Sequence, residues 1–141
     1  MTEFQGKAVD ALREYNPEAL VITEESESGL YRPCFQVIVE DITLKKEMGR
    51  RYRKEETLEV TWYPPEGEEP QQKEIPIQLV LQWIAKGVKT EAEREKGKLV
   101  VRASISQILF MDEEEAALMM KLLLGLRDHI GEEGEDGDLK L

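Results

Sequence analysis

One cysteine and one histidine in 141 residues leave little material for catalysis or metal binding. The lone Cys34 excludes an intramolecular disulfide, and a reducing assembly compartment is the simpler setting for it. It stands beside Phe35 at the start of an apolar alternating run, with no second thiol and only the distant His129. A buried structural thiol therefore outweighs a nucleophile or a ligand. His129 falls at the end of the last predicted helix, where a cation suits the C-terminal dipole. Zinc spacing, a Walker A loop, a G-x-S-x-G elbow and a dinucleotide fingerprint are absent. The acid-rich runs at 24–27, 66–69 and 112–115 are dense and unspaced, as in solvated loops and a helix start. These absences predict a chain that is not an enzyme and holds no cofactor and no metal.

Long apolar runs are missing too. None approaches the ~18 residues that suggest a membrane span. The opening "MTEFQGKAVD" has neither a basic n-region nor an apolar h-region. The expectation is a soluble protein without export signals and with no membrane partner. Its 40% hydrophobic content suffices for a core, and its length suits one domain. A net charge of −11 argues against a general nucleic-acid binder, which needs a broad basic surface.

What is present is clear alternation. Phe4, Ala8, Ala11, Leu12 and Tyr15 fall at helical spacing, Thr2 with Gln5 has the form of a capping box, and Asn16-Pro17 ends the segment. "ALVITEE" reads as a short strand running into the polar turn "ESESG". In "CFQVIVEDITLKK" the apolar parity moves from Phe35, Val37 and Val39 to Ile42 and Leu44, which predicts a bulge, a bend or two successive strands. "TLEVTWYP" then alternates through Leu58, Val60 and Trp62, so residues 34–63 read as a long antiparallel hairpin. Pro76 and the apolar pattern of Ile77, Val80, Leu81, Ile84 and Val88 predict a helix over 75–87. The highly charged residues 88–97 suit an edge strand or a helix, with the edge strand favoured, and a strand follows with Leu99, Val101, Ala103 and Ile105 on one side. Its parity changes again at Ile108 and Phe110.

Asp112 and three glutamates predict a capped helix with Ala116, Met119, Met120, Leu123 and Leu126 as its core stripe. Leu118, Leu122 and Leu124 widen that stripe, and the excess suits either core or a subunit interface. The fold class is α+β: a mostly antiparallel sheet with a long hairpin, packed against N-terminal, central and C-terminal helices. A single domain is expected over 1–130, with residues 131–141 as an acidic, mobile tail.

One stretch runs against the charge of the chain. In "KKEMGRRYRK" (45–54), six bases against one acid give +5, which leaves −16 for the remainder of a chain at −11. The stretch lies at the end of the predicted hairpin, where a solvated turn, a protein contact and nucleic acid are all open readings. Tyr52 among the bases could stack on a base or ribose, although single-strand platforms use several aromatics.

"GLYRPCFQVIV" and "MGRRYRKEETLEVTWYPP" resemble the phage tail terminator family of phages, prophages and phage tail-like particles of Gram-positive bacteria. Gly29, Leu30, Pro33, Cys34 and Phe35 match its Gly-Leu-x-x-Pro-Cys-Phe strand opening. Gly49, Arg51, Tyr52 and Arg53 match its Gly-x-Arg-Tyr-Lys/Arg turn, and Trp62, Tyr63 and Pro64 close the following strand. Gln36 stands where the family often has a second aromatic, and the acidic tail lies outside the family pattern.

The resemblance implies a structural virion protein, assembled in the bacterial cytoplasm and located in the virion tail or neck. Such subunits form a ring, generally a hexamer, that caps the head-proximal end of the tail tube and stops its polymerisation. The implied partners are the chain itself, the tail tube protein, a neck, collar or head-connector protein and, in contractile particles, the sheath. DNA is only passing cargo. On this reading Arg50, Arg51, Tyr52, Arg53 and Lys54 are the expected partner interface, with the charges meeting an acidic subunit or tube protein. Gly29, Pro33, Cys34, Phe35 and Gly49 are expected to be structural. A head–tail joining protein of the neck and a small nucleic-acid-binding regulator are the alternatives.

Overall fold

The computed structural model describes residues 1–23, 31–70 and 73–133. Gly29, Leu30, the acidic run at 24–27 and the tail from 134 lie outside these residues. Helix α1 (Glu3–Tyr15) begins where Thr2 Oγ1 accepts the Gln5 backbone N–H at 3.0 Å. The reciprocal half of the predicted capping box is replaced by a longer reach. The Gln5 side-chain amide instead donates to the Val37 carbonyl at 2.8 Å, in a buried setting. The helix buries Phe4, Ala8, Val9 and Leu12, and it stops at Asn16, ahead of Pro17.

Five strands follow: β1 (Leu20–Ile22), β2 (Cys34–Met48), β3 (Arg51–Tyr63), β4 (Lys89–Glu95) and β5 (Lys98–Phe110). They lie in the order β1-β2-β3-β5-β4. β1 runs parallel to β2, with Val21 opposite Phe35, whereas β4 and β5 are antiparallel, with Ala92 opposite Val101. β2 and β3 form the expected hairpin over residues 34–63, and β4 is the expected edge strand. Helix α2 (Glu74–Gln82) follows β3, and α3 (Glu113–Glu133) follows β5. The result is a mostly antiparallel α+β architecture. α2 is shorter than the predicted 75–87. The backbone N–H groups of Trp83 and Ile84 bond three residues back, to Val80 and Leu81, and the last turn tightens and ends before Gly87 at φ +82°. α3 runs to Glu133, past residue 130.

The chain forms two compact units. One comprises Met1–Ile38 and Leu58–Ser104, the other Val39–Thr57 and the chain from Ile105. In the first, α1 packs on α2 and β1, and α2 packs on β4. Phe35, Val37, Leu58, Val60, Leu99, Val101, Ile77 and Leu81 are fully buried there. The Phe35 ring lies 4.6 Å from Trp62 and 6.5 Å from Tyr15, centroid to centroid. Gln78 and Gln82 both donate to Thr90 Oγ1, at 3.1 and 2.8 Å, which fastens α2 to the edge strand.

In the second unit the buried side chains include Ile42, Leu44, Tyr52, Ile105, Met111, Ala116 and Leu123. β2 stays one continuous strand across its parity switch, so two successive strands are excluded. The buried side changes between Val39 and Ile42, across the exposed pair Glu40 and Asp41, close to where β2 passes into this unit. β5 behaves differently. Ile105 and Met111 are buried and Leu109 is half-buried, whereas Gln107 and Phe110 are exposed, Phe110 at 72%. Its parity change is therefore not a shift of the core.

Candidate interaction surface

Gly49 turns the hairpin with φ +57°, a left-handed conformation that costs an L side chain about 1–2 kcal/mol. Around this turn the bases are partly compensated from within. Arg51 Nε lies 3.0 Å from Glu47 Oε1, and Arg53 Nε lies 2.6 Å from Glu47 Oε2, so two guanidiniums share one carboxylate. Arg53 also donates to Ser106 Oγ at 2.8 Å. The hydrogen bond from Arg53 is the main reason the Glu47 carboxyl is held below its usual range. Lys46 reaches Glu113 at the start of α3, 3.8 Å away.

α3 is braced against the same turn. Asp112 Oδ1 accepts the Glu115 backbone N–H at 2.8 Å, the predicted N-cap, and this bond chiefly lowers the Asp112 pKa, with the Arg50 charge adding to it. Lys45 and Lys54 make no ion pair among the described residues, and Lys45 and Arg50 are exposed. Of the sequence-predicted interface set, Arg50, Arg51, Arg53 and Lys54 thus gather at the hairpin end. Tyr52 does not join them: it is 3% exposed and belongs to the core of the unit. The nucleic-acid reading thereby loses its stacking residue.

The structural motif residues divide between core and turn. Pro33 follows a cis peptide bond, Cys34 is 2% exposed and Phe35 is fully buried. Burial pushes the Cys34 thiol up, against the opposing charge of Arg32. Arg32 itself lies over the Tyr63 ring at 5.4 Å and donates to the Gly97 carbonyl at 3.4 Å. A cavity of about 390 Å³ beside Trp62 is lined by Pro64, Pro65, Glu68, Glu69 and Lys73. Among the described residues, no cluster of His, Cys, Asp and Glu is placed to hold a metal ion, and no helix is long and apolar enough to cross a membrane.

Sequence reasoning missed the apolar part of this surface. Arg53 meets Ser106, and strand alternation puts Arg51 on the same side as Ser106, Ile108 and Phe110. The signal was available: Leu99, Val101, Ala103, Ile105 and Met111 form one odd-numbered series, which makes Ile108 and Phe110 apolar residues of the other side.

A family model described as phage tail terminator protein matches residues 4–94, from the first turn of α1 into β4. The match includes the whole basic hairpin. Comparison with curated proteins finds no match.

Proposed function

The chain belongs to the phage tail terminator family, and from that premise we propose that it caps the head-proximal end of a tail tube as a ring of six subunits. The family is one of structural tail proteins, so the role is binding instead of catalysis, and the location is the virion tail. The ring ends tube polymerisation and joins the tail to the neck or collar. Subunits assembled in the bacterial cytoplasm meet three kinds of partner: each other, the last ring of tube protein and a connector protein. A head-to-tail contact whose rotation closes makes a ring instead of a filament. A closed ring whose outer face lacks the tube subunit's own docking surface gives the next tube subunit nothing to bind.

The observation that carries this reading is the family match from α1 into β4, which spans both arms of the hairpin. Supporting it, Arg50, Arg51, Arg53 and Lys54 crowd the end of that hairpin on a chain of net charge −11. Charges in such a place chiefly set partner choice and register. The buried Tyr52 speaks against single-stranded nucleic acid as the partner.

The test is to mix the purified chain with its cognate tube subunit and image the products by electron microscopy. Tubes that stop growing and carry a ring at one end are the expected result. Tubes of uncontrolled length without a ring would overturn the capping role and favour a head–tail joining protein of the neck.

A further inference from the structure

The basic hairpin end and the acidic start of α3 meet within one unit, and their charges balance. Residues 45–55 hold six bases and two acids, Glu47 and Glu55, which leaves +4. Residues 112–115 hold four acids, so the two stretches together are neutral. Lys46 lies 3.8 Å from Glu113, and the Arg50 charge acts on Asp112. Met111, the residue before these acids, is hydrogen-bonded through its backbone to Arg50. The four acids span one helical turn, ~5.4 Å of rise, less than the ~8 Å over which charges act at physiological salt.

This counter-charge is held loosely. The Lys46 and Glu113 side chains are 49% and 89% exposed, and so open a pair exchanges readily for another. The helix that carries the acids is also lightly seated. Of its nine apolar residues between Glu113 and Leu126, Ala116 and Leu123 are the buried ones. Leu118 and Leu122 are 64% and 72% exposed, so they do not widen the core stripe as the sequence predicts. An element with so little buried shifts more easily than the strands beneath it.

We propose that the acidic first turn of α3 is an internal competitor for the basic hairpin end. Seated there, it cancels the charge that an acidic partner needs, and the partner's carboxylates take its place on assembly. The free chain then offers its partner a hairpin end without net charge, which holds down the rate of encounter. This deepens the ring reading above and rests on it for the partner alone.

The test titrates labelled poly-L-glutamate, an acidic chain without structure of its own, into the free protein at low salt and reads fluorescence anisotropy. Glu113→Gln with Glu114→Gln and Glu115→Gln leaves the Asp112 cap in place and should tighten binding severalfold over the parent. Glu14→Gln with Glu66→Gln and Glu68→Gln removes as much charge from exposed positions of the other unit. That control should leave binding nearly unchanged. Adding Lys45→Gln, Arg50→Gln and Lys54→Gln to the helix variant should abolish its gain. Equal tightening in the helix variant and the control, no tightening in either, or a gain that survives loss of the hairpin bases overturns the proposal. Circular dichroism confirms that each variant is folded. Tube capping is scored separately on the unmodified chain. Capping without the gain sinks this inference alone, and the gain without capping sinks the capping reading alone.

Discussion

The backbone N–H of Met111 donates to the carbonyl oxygen of Arg50 at 2.9 Å, which fastens the turn of the basic hairpin to the residue two ahead of α3. The Lys46–Glu113 pair and the field of Arg50 on Asp112 act at the same place. The hairpin end is therefore no free arm. Its guanidiniums are displayed on a surface held by the start of a helix; if the proposed interface is here, a partner would meet them already ordered, with less entropy lost on binding.

Gly49→Ala is expected to lower stability by ~1 kcal/mol, through the left-handed backbone alone. Nothing lies within 4 Å of the position its Cβ would take, so no steric clash adds to this. Gly49→Asn should cost less, since asparagine tolerates that conformation. Urea unfolding midpoints decide it; equal losses for Ala and Asn would mean that backbone conformation is not the cause.

Tyr52→Ala should destabilise the chain by about 3–5 kcal/mol, as truncation of a buried aromatic does. Arg50→Ala, at an exposed position, should stay within ~0.5 kcal/mol of the parent. Thermal unfolding of the two variants separates core from display within one short motif. A Tyr52→Ala chain as stable as the parent would remove Tyr52 from the core.

That pair of neighbours also marks where the sequence could be read and where it could not. The hairpin over 34–63, the edge strand β4 and the Asp112 cap were legible because each rests on local rules of alternation, turn and cap. The parity of Tyr52 was legible as well, since it shares its even numbering with Leu58, Val60 and Trp62 on one strand. Its basic neighbours masked that signal, because charge pattern and burial parity say different things about one segment. The outward rows of Leu118 with Leu122 and of Ile108 with Phe110 were harder. Helical periodicity identifies apolar residues, but only the fold tells which apolar side is covered.

Cys34 should resist thiol reagents in the native chain and react fully in denaturant. It is 2% exposed, and burial raises the pKa of its thiol, which lowers the thiolate fraction at neutral pH. Absorbance-monitored labelling with a disulfide reagent checks this. Rapid labelling without denaturant would show that the start of β2 opens locally.

Acid should loosen the hairpin end, and pH changes around neutrality should leave it unaffected. Glu47 is held below a usual value of 4.5, first by the Arg53 hydrogen bond, and Asp112 below 3.8, first by the Glu115 backbone N–H. A depressed folded-state pKa gives a contribution that is complete above the ordinary value and lost as pH falls through the folded one. Stability from these two groups is thus level above the ordinary carboxylate range and declines only on the acid side of it. Both side chains meet solvent, so the effect is modest and weakens in high salt. In Glu47→Gln the glutamate's share of the acid limb should vanish, leaving a shallower decline of thermal stability with acid than in the parent. An acid limb identical in Glu47→Gln and parent would show that the shared carboxylate does not hold Arg51 and Arg53 in place.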